Sequence, residues 1–260
     1  KNFLVGRGPC CLIPGQEDIK VLREEITTVL FDLDGTLLPM ELEAFTRLYF
    51  GLLAQKAVPF GFQPEPLINA VWKGTGAMMK NNGDMPNCDR FWQVFGAELG
   101  PKAAALRPEF DDFYAREFHG ARPSTRENPL ALKAVRGLRG KGYEVILATN
   151  PLFPAVGVAT RLSWLGLGLE DFSMVTTYEN SSYCKPSPGY YREILEKAAR
   201  RPAECLMVGN DAREDLAARE AGLGVYLVTD CLENPGGQDL SGVDKGSFAQ
   251  FMVWAGLADK

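Results

Sequence analysis

The stretch VLFDLDGTLLPM, Val29 to Met40, places two carboxylates directly after an apolar run. Asp32 follows Val29, Leu30 and Phe31, and Asp34 stands two residues further on. In extended backbone that spacing turns both side chains to the same side. An unpaired buried carboxylate costs several kcal/mol, so the pair belongs at the mouth of a strand, facing a cation or strong donors. Asp-Gly on its own is turn chemistry, which leaves the second acid unexplained. Two acids converging on one spot point to a metal site or an acid/base pair.

Three further groups come later in the chain. Thr149 and Asn150 close the run EVILAT-N, Lys185 sits in CKPSP ahead of a helical pattern, and VGNDARED supplies Asn210, Asp211 and Asp215 after the run ECLMVG. Each alone has an ordinary reading: a strand-end hydroxyl, an exposed lysine, a helix cap with a first-turn acid facing the macrodipole. Together they occupy the carboxyl ends of strands, where open α/β sheets bind ligands.

The elements that must position them are five apolar or β-branched runs, at 27–31, 144–149, 172–177, 204–209 and 224–229. Between the later ones lie helical patterns. Asn128-Pro129 starts one that ends at Gly140 or Gly142, Ala155 to Leu165 and Tyr191 to Ala198 repeat at helical spacing, and Asp211 to Ala221 gives another, closed by Gly222. Ser247 caps a last helix with Phe248, Phe251, Met252 and Ala255 inward, after a surface loop over CLENPGGQDLSG. Apolar strands alternating with helices predict an α/β fold with a parallel sheet covered on both faces.

More than a hundred residues separate the first two runs, too many for a loop. Aromatic stripes at Phe45–Leu53, Phe91–Leu99 and Phe110–Tyr114 predict three amphipathic helices whose rings form packing core. The expected organisation is therefore an N-terminal extension over 1–24, a catalytic core over 25–40 and 125–260, and an inserted helical cap over 41–124. Within the insertion KNNGDMPN (80–87) is a polar loop, and Lys80, Asn81, Asn82, Asp84 and Arg90 are candidates for touching a substrate. KGTGAMM (73–79) lacks a third glycine and a preceding strand, so it is no nucleotide loop.

Composition narrows the function classes. With 46% hydrophobic and 23% charged residues and a net charge of −5, the 260-residue chain reads as a globular protein without the basic surface of a nucleic-acid partner. No apolar run reaches the roughly 18 residues that cross a bilayer, so no membrane association is expected. Six dispersed cysteines without a CxxC pair, and His119 as the sole histidine, argue against a zinc site and against a histidine-based nucleophile. That cysteine usage fits a reducing cytoplasm, with Cys184 notable beside Lys185.

The ordered set DLDGT, LATN, CKPSP and GNDARED resembles the haloacid dehalogenase-like hydrolase superfamily, over about 26–40 and 126–230. The resemblance implies a Rossmann-like sheet of order 5-4-1-2-3, a C1-type cap and Mg2+-dependent phosphoryl transfer through an aspartyl-phosphate. It implies Asp32 as nucleophile and Asp34 as the acid that later serves as base. Thr149, Asn150 and Lys185 would hold the phosphate. Asp32, the backbone carbonyl of Asp34, Asp211 and waters would ligate the metal, with Asp215 and Asn210 supporting them. Many relatives carry Gly-Asp where this chain has Gly209-Asn210, so Asn210 is the second candidate for the ligand; the resemblance favours Asp211, which keeps the four-residue spacing to Asp215 also found in the superfamily. Superfamily members that attack carbon–halogen or phosphonate bonds usually lack the second acid, so the resemblance, with Asp34 present, disfavours dehalogenation. The expected activity is a phosphatase acting on a small phosphorylated metabolite, with a phosphomutase next and a non-catalytic binding protein last.

Overall fold

The computed structural model describes residues 25–258, so the expected N-terminal extension lies outside the described residues. The chain opens with β1 (Thr28–Phe31) and then enters the helices α1 (Leu42–Ala57), α2 (Pro64–Met79), α3 (Asn87–Leu99) and α4 (Leu106–Ala115). It continues through α5 (Pro129–Gly140), β2 (Glu144–Leu147), α6 (Ala155–Ser163), β3 (Met174–Val175), α7 (Pro188–Ala198), β4 (Cys205–Gly209) and β5 (Gly224–Val228). The last elements are β6 (Asp244–Gly246) and α8 (Phe248–Trp254).

All neighbouring strands pair in parallel, in the order β3-β2-β1-β4-β5-β6. The expected order 5-4-1-2-3 is therefore present, with a sixth strand added beside β5. Its three residues, Asp-Lys-Gly, carry no apolar signal, and a short charged strand at a sheet edge is one that discourages pairing with another chain. β1 sits at the centre and is buried throughout. Its alternate residues feed two layers: Val29 and Phe31 join the layer containing Val135 of α5 and Phe251 of α8, while Leu30 joins Tyr190, Ile194 and Leu227.

Two helical expectations need correction. Over 211–221 the structure has turns followed by a 3-10 helix, Leu216–Ala221, ended by Gly222 at φ 90°. Asp211 Oδ1 accepts the N–H groups of Arg213 and Glu214, as a helix N-cap does, and Asp215 Oδ2 accepts the Asp211 N–H, but the backbone bonds that follow run three residues back, Ala218 N–H to Asp215 C=O at 3.1 Å and Gly222 N–H to Arg219 C=O at 3.0 Å. The insertion holds four α-helices rather than three, because KGTGAMM is the end of α2. A Cβ on Gly74 would lie 2.6 Å from Cδ2 of Phe91, so this glycine lets α2 and α3 cross closely. The insertion returns to the sheet where Glu41 N–H donates to Ser124 C=O at 2.9 Å and Arg126 N–H to Pro39 C=O at 2.8 Å. Among the described residues, no helix is long and apolar enough to cross a membrane.

Candidate active site

β1 ends at Phe31, and hydrogen bonds to the strands on both sides fix the path of the chain beyond it. Asp32 N–H donates to Val208 C=O of β4 at 2.9 Å, and Ala148 N–H of the β2 strand end donates to Phe31 C=O at 2.7 Å. Asp32 and Thr149 thus emerge side by side at the carboxyl edge of the sheet, both buried. The chain then turns at Gly35, whose φ of 89° favours glycine and whose Cβ would stand 2.4 Å from the Asn210 side chain. Thr36 Oγ1 donates to Asn210 Oδ1 at 2.8 Å, and Asn210 Nδ2 donates to Cys231 C=O at 2.8 Å. Both ends of that amide are committed to holding the turn.

Lys185 joins the strand ends. Its Nζ donates to Asp32 Oδ1 at 2.8 Å and to Asp215 Oδ1 at 2.7 Å, and Lys185 and Asp215 are each 1% exposed. Burial by itself disfavours the ammonium, but Asp215 and Asp32 outweigh it and raise the lysine pKa well above its usual value. Asp32 moves the other way from most paired acids. Burial raises its pKa to about 7, Lys185 opposes the rise, and the charges of Asp215 and Asp34 add to it. Asn150 braces the lysine loop, accepting Lys185 N–H at 3.3 Å on Oδ1 and donating from Nδ2 to Glu214 Oε2 at 2.9 Å.

Asp34 meets a residue that sequence reasoning missed. Arg161 of α6 is fully buried, and its Nη1 donates to Asp34 Oδ2. The guanidinium carbon lies 4.3 Å from the centroid of the Phe153 ring, and Nε donates to Gly157 C=O at 3.3 Å. Asp34 Oδ1 and Arg161 Nη2 are buried, and neither has a hydrogen-bond partner among the described residues. The signal was present: Arg161 is three residues from Val158 and four from Leu165, on the buried stripe of its helix. Glu214 was also passed over. Burial pushes its pKa up to about 8, opposed by Lys185 and reinforced by Asp215 and Asp211.

The polar loop over 80–87 is a strut to the core. Asn81 is buried and donates to Met85 C=O and to Asn87 Oδ1, both at 2.8 Å, while Arg90 pairs with Asp84 at 2.6 Å. Asn87 is fully buried, and its Nδ2 reaches Cys184 Sγ at 3.3 Å, Tyr183 C=O at 3.3 Å and Pro151 C=O at 3.4 Å. Lys80 and Asn82 are exposed. Burial pushes the Cys184 thiol up to about 12, which leaves it an inert neighbour of Lys185.

The site gathers the carboxyl groups of Asp32, Asp34, Asp211, Glu214 and Asp215 against the cations Lys185 and Arg161; burial is the main cause of the raised Asp32 pKa, and the charges of Asp215 and Asp34 add to it. Among the described residues, no group of three or more His, Cys, Asp or Glu is gathered tightly enough to hold a metal alone. The donors at this edge are oxygens, the type Mg2+ prefers, and Mg2+ takes one or two carboxylates and completes its shell with waters and substrate phosphate. Asp211 uses Oδ1 to accept backbone N–H groups.

A family model described as haloacid dehalogenase-like hydrolase matches residues 26–222. The chain is 28% identical over 207 residues to a phosphoglycolate phosphatase of Vibrio vulnificus, covering 80% of this chain and 85% of that protein. It is 24% identical over 200 residues to the pyrophosphatase PpaX of Bacillus velezensis, covering 76% and 81%. A 2-haloacid dehalogenase from Pseudomonas syringae matches it with a TM-score of 0.56 at 20% identity, over 90% of this chain and 100% of that one. A HAD phosphatase from Thermococcus onnurineus gives 0.52 at 19% identity, over 87% and 96%. At these identities the solved structures speak for the fold.

Proposed function

Because the chain belongs to the haloacid dehalogenase-like hydrolases, matched over residues 26–222, we propose that it is a Mg2+-dependent phosphatase of small phosphorylated metabolites. The observation that carries this reading is Lys185, buried between Asp32 and Asp215 with Asp34 two residues from Asp32. Relatives named as phosphoglycolate phosphatase and pyrophosphatase support it.

In this reading an Asp32 carboxylate oxygen attacks phosphorus, the bond to the leaving oxygen breaks, and Asp34 hands that oxygen a proton. The unpartnered Asp34 Oδ1 is the oxygen free to do so, since Oδ2 is held by Arg161. Water then attacks the aspartyl-phosphate, Asp34 takes a proton back, and phosphate leaves with Asp32 restored. Lys185, the Thr149 hydroxyl and Asn150 hold the phosphate oxygens as charge shifts onto them. Asp32, the Asp34 backbone C=O and Asp211 would hold Mg2+, which when bound offsets the repulsion between carboxylate and phosphate. Asp215 positions Lys185, and Asn210 fixes the turn after Asp34. Residues 41–124 serve as the cap that excludes water over a core of 25–40 and 125–260. The free Cys88, Cys184, Cys205 and Cys231 suit a reducing compartment such as the cytoplasm.

The test is phosphate release from a panel of phosphorylated metabolites and an aryl phosphate, with and without Mg2+, beside Asp32→Asn. Metal-dependent release that vanishes in the variant is expected, a fall of about 10⁴-fold or more. Isomerised sugar phosphate in place of free phosphate would turn the reading to a mutase. No product of either kind from folded protein sinks it.

A further inference from the structure

A cavity of about 190 Å³ lies between the helices α1 to α4 and the loop that follows Asn150. Its wall is mostly aromatic, including Tyr49, Trp72, Phe91, Trp92, Tyr114 and Phe153, and none of the residues lining it is charged. The polar atoms on the wall are largely spoken for: the Tyr49 and Tyr114 hydroxyls bond each other at 2.8 Å, and Trp92 Nε1 donates to Tyr178 Oη at 3.4 Å. A carboxylate, a second phosphate or a sugar entering this space would lose water without gaining partners. An apolar ring would gain on both counts. The volume exceeds the ~150 Å³ cavity that takes up benzene in a protein interior. Trp72 and Leu42, more than half exposed at 53% and 55%, are lining residues that open the cavity to solvent.

Asp32 and Asp34 do not line this cavity; the Phe153 ring and the Arg161 guanidinium stand between it and Asp34. The Phe153 ring that forms part of its wall is stacked by the Arg161 guanidinium at 4.3 Å, and Arg161 grips Asp34. The Arg161 charge is felt by the Tyr49 and Tyr114 hydroxyls as well. Leu152 and Phe153, which line the cavity, follow the proposed phosphate-holding Asn150 by two and three residues, so one wall of the cavity belongs to the same loop as the phosphate site.

We propose that this aromatic cavity receives the alcohol part of the substrate, and that the substrate is a phosphate monoester whose alcohol carries a planar, ring-bearing apolar group. The proposal rests on the phosphatase reading and narrows it. It sets this chain apart from an enzyme that recognises its substrate by a second anionic group.

The experiment is calorimetric binding of benzylphosphonate and methylphosphonate to the whole protein with Mg2+, since their carbon–phosphorus bonds keep turnover out of the measurement. Benzylphosphonate is expected to bind on the order of 10- to 100-fold tighter, the gain from burying one ring. Thr75→Phe, which fills the cavity, and Thr46→Glu, which sets a charge against the ring, should each bring the ratio of the two affinities toward one. Having both variants guards against one that misfolds. Equal affinities in the parent protein, with phosphate released from small esters, overturn the subsite while the phosphatase stands. Benzyl alcohol binding that does not compete with benzylphosphonate overturns it too. Failure of every ester to release phosphate overturns the reading beneath it, whatever the binding ratio.

Discussion

At the carboxyl ends of β1 and β4 the buried groups are ions held by one another: Lys185 bridges Asp32 and Asp215, and Arg161 grips Asp34. In the helices of the insertion the buried groups are rings, Phe45, Phe91, Phe95, Phe113 and Phe118 among them. The two regions meet at Phe153, which carries a guanidinium on one side and touches the rings of Tyr49 and Phe118. The difference matters because each kind of burial fails differently. An ion whose partner is deleted stays buried and uncompensated, so the ionic floor stands or falls together. A ring among rings tolerates exchange of shape as long as volume is kept. The floor should therefore govern turnover for every substrate, and the ring-lined wall should govern which substrate is turned over.

The largest effect separating the two is expected from Lys185→Met. It leaves Asp32 and Asp215 facing each other without their shared cation, at a cost of about 3–5 kcal/mol in stability. It also removes a charge from the transferring phosphate, so kcat should fall about 10²–10³-fold for all esters alike. Denaturant unfolding and steady-state kinetics on two unrelated esters check both. Unequal losses on the two esters would break the division between floor and wall.

Arg161→Met comes next. The pair with Asp34 is lost, but Asp34 retains access to water, so the cost should sit near the lower end for a broken buried pair, about 3 kcal/mol. Arg161→Lys keeps the charge without the planar fork that stacks on Phe153, and should recover part of the stability. If Lys does no better than Met in thermal unfolding, stacking rather than charge is what Arg161 supplies.

Asn87→Ala tests the seam. It deletes the donor shared among Pro151, Tyr183 and Cys184 and leaves Asn81 without one acceptor, for a loss of about 1–3 kcal/mol. Because those contacts tie the insertion to the lysine loop, KM should rise more than kcat falls. A pure kcat effect would place Asn87 with the floor.

The floor was readable from sequence because its residues end apolar runs: Asp32 after Phe31, Thr149 after Ala148, Asp211 after the run closing at Gly209. Parallel strands put all such ends on one edge, so order along the chain was enough to gather them. Arg161 was not read because a cation within a helix looks like ordinary solvated surface; its partner Asp34 is 127 residues away. Asn87 was hidden in the same way, as one polar residue in a turn-rich stretch whose partners lie on another loop. β6 carries no apolar residue to announce it, and its pairing comes from β5 beside it. α2 was obscured by Gly74 and Gly76, whose low helix propensity masks a helix maintained by packing against α3.

That last ambiguity yields the finest test, since the two glycines differ in surroundings and share a helix. At Gly76 an added Cβ would meet nothing within 4 Å, so Gly76→Ala gains the helix preference of alanine and should stabilise the protein by up to about 1 kcal/mol. At Gly74 the same preference applies, but the Cβ would lie 2.6 and 2.8 Å from Cδ2 and Cε2 of Phe91. The ring, which lines the aromatic cavity and stacks on Phe95 with centroids 5.3 Å apart, has to shift. Overpacking of this kind costs about 1–3 kcal/mol, which exceeds the propensity gain, so Gly74→Ala should destabilise where Gly76→Ala stabilises. Thermal unfolding of the two variants decides the sign. Should both stabilise, the crossing of α2 and α3 has slack, and the wall they form is more adaptable than a rigid, shape-selective one.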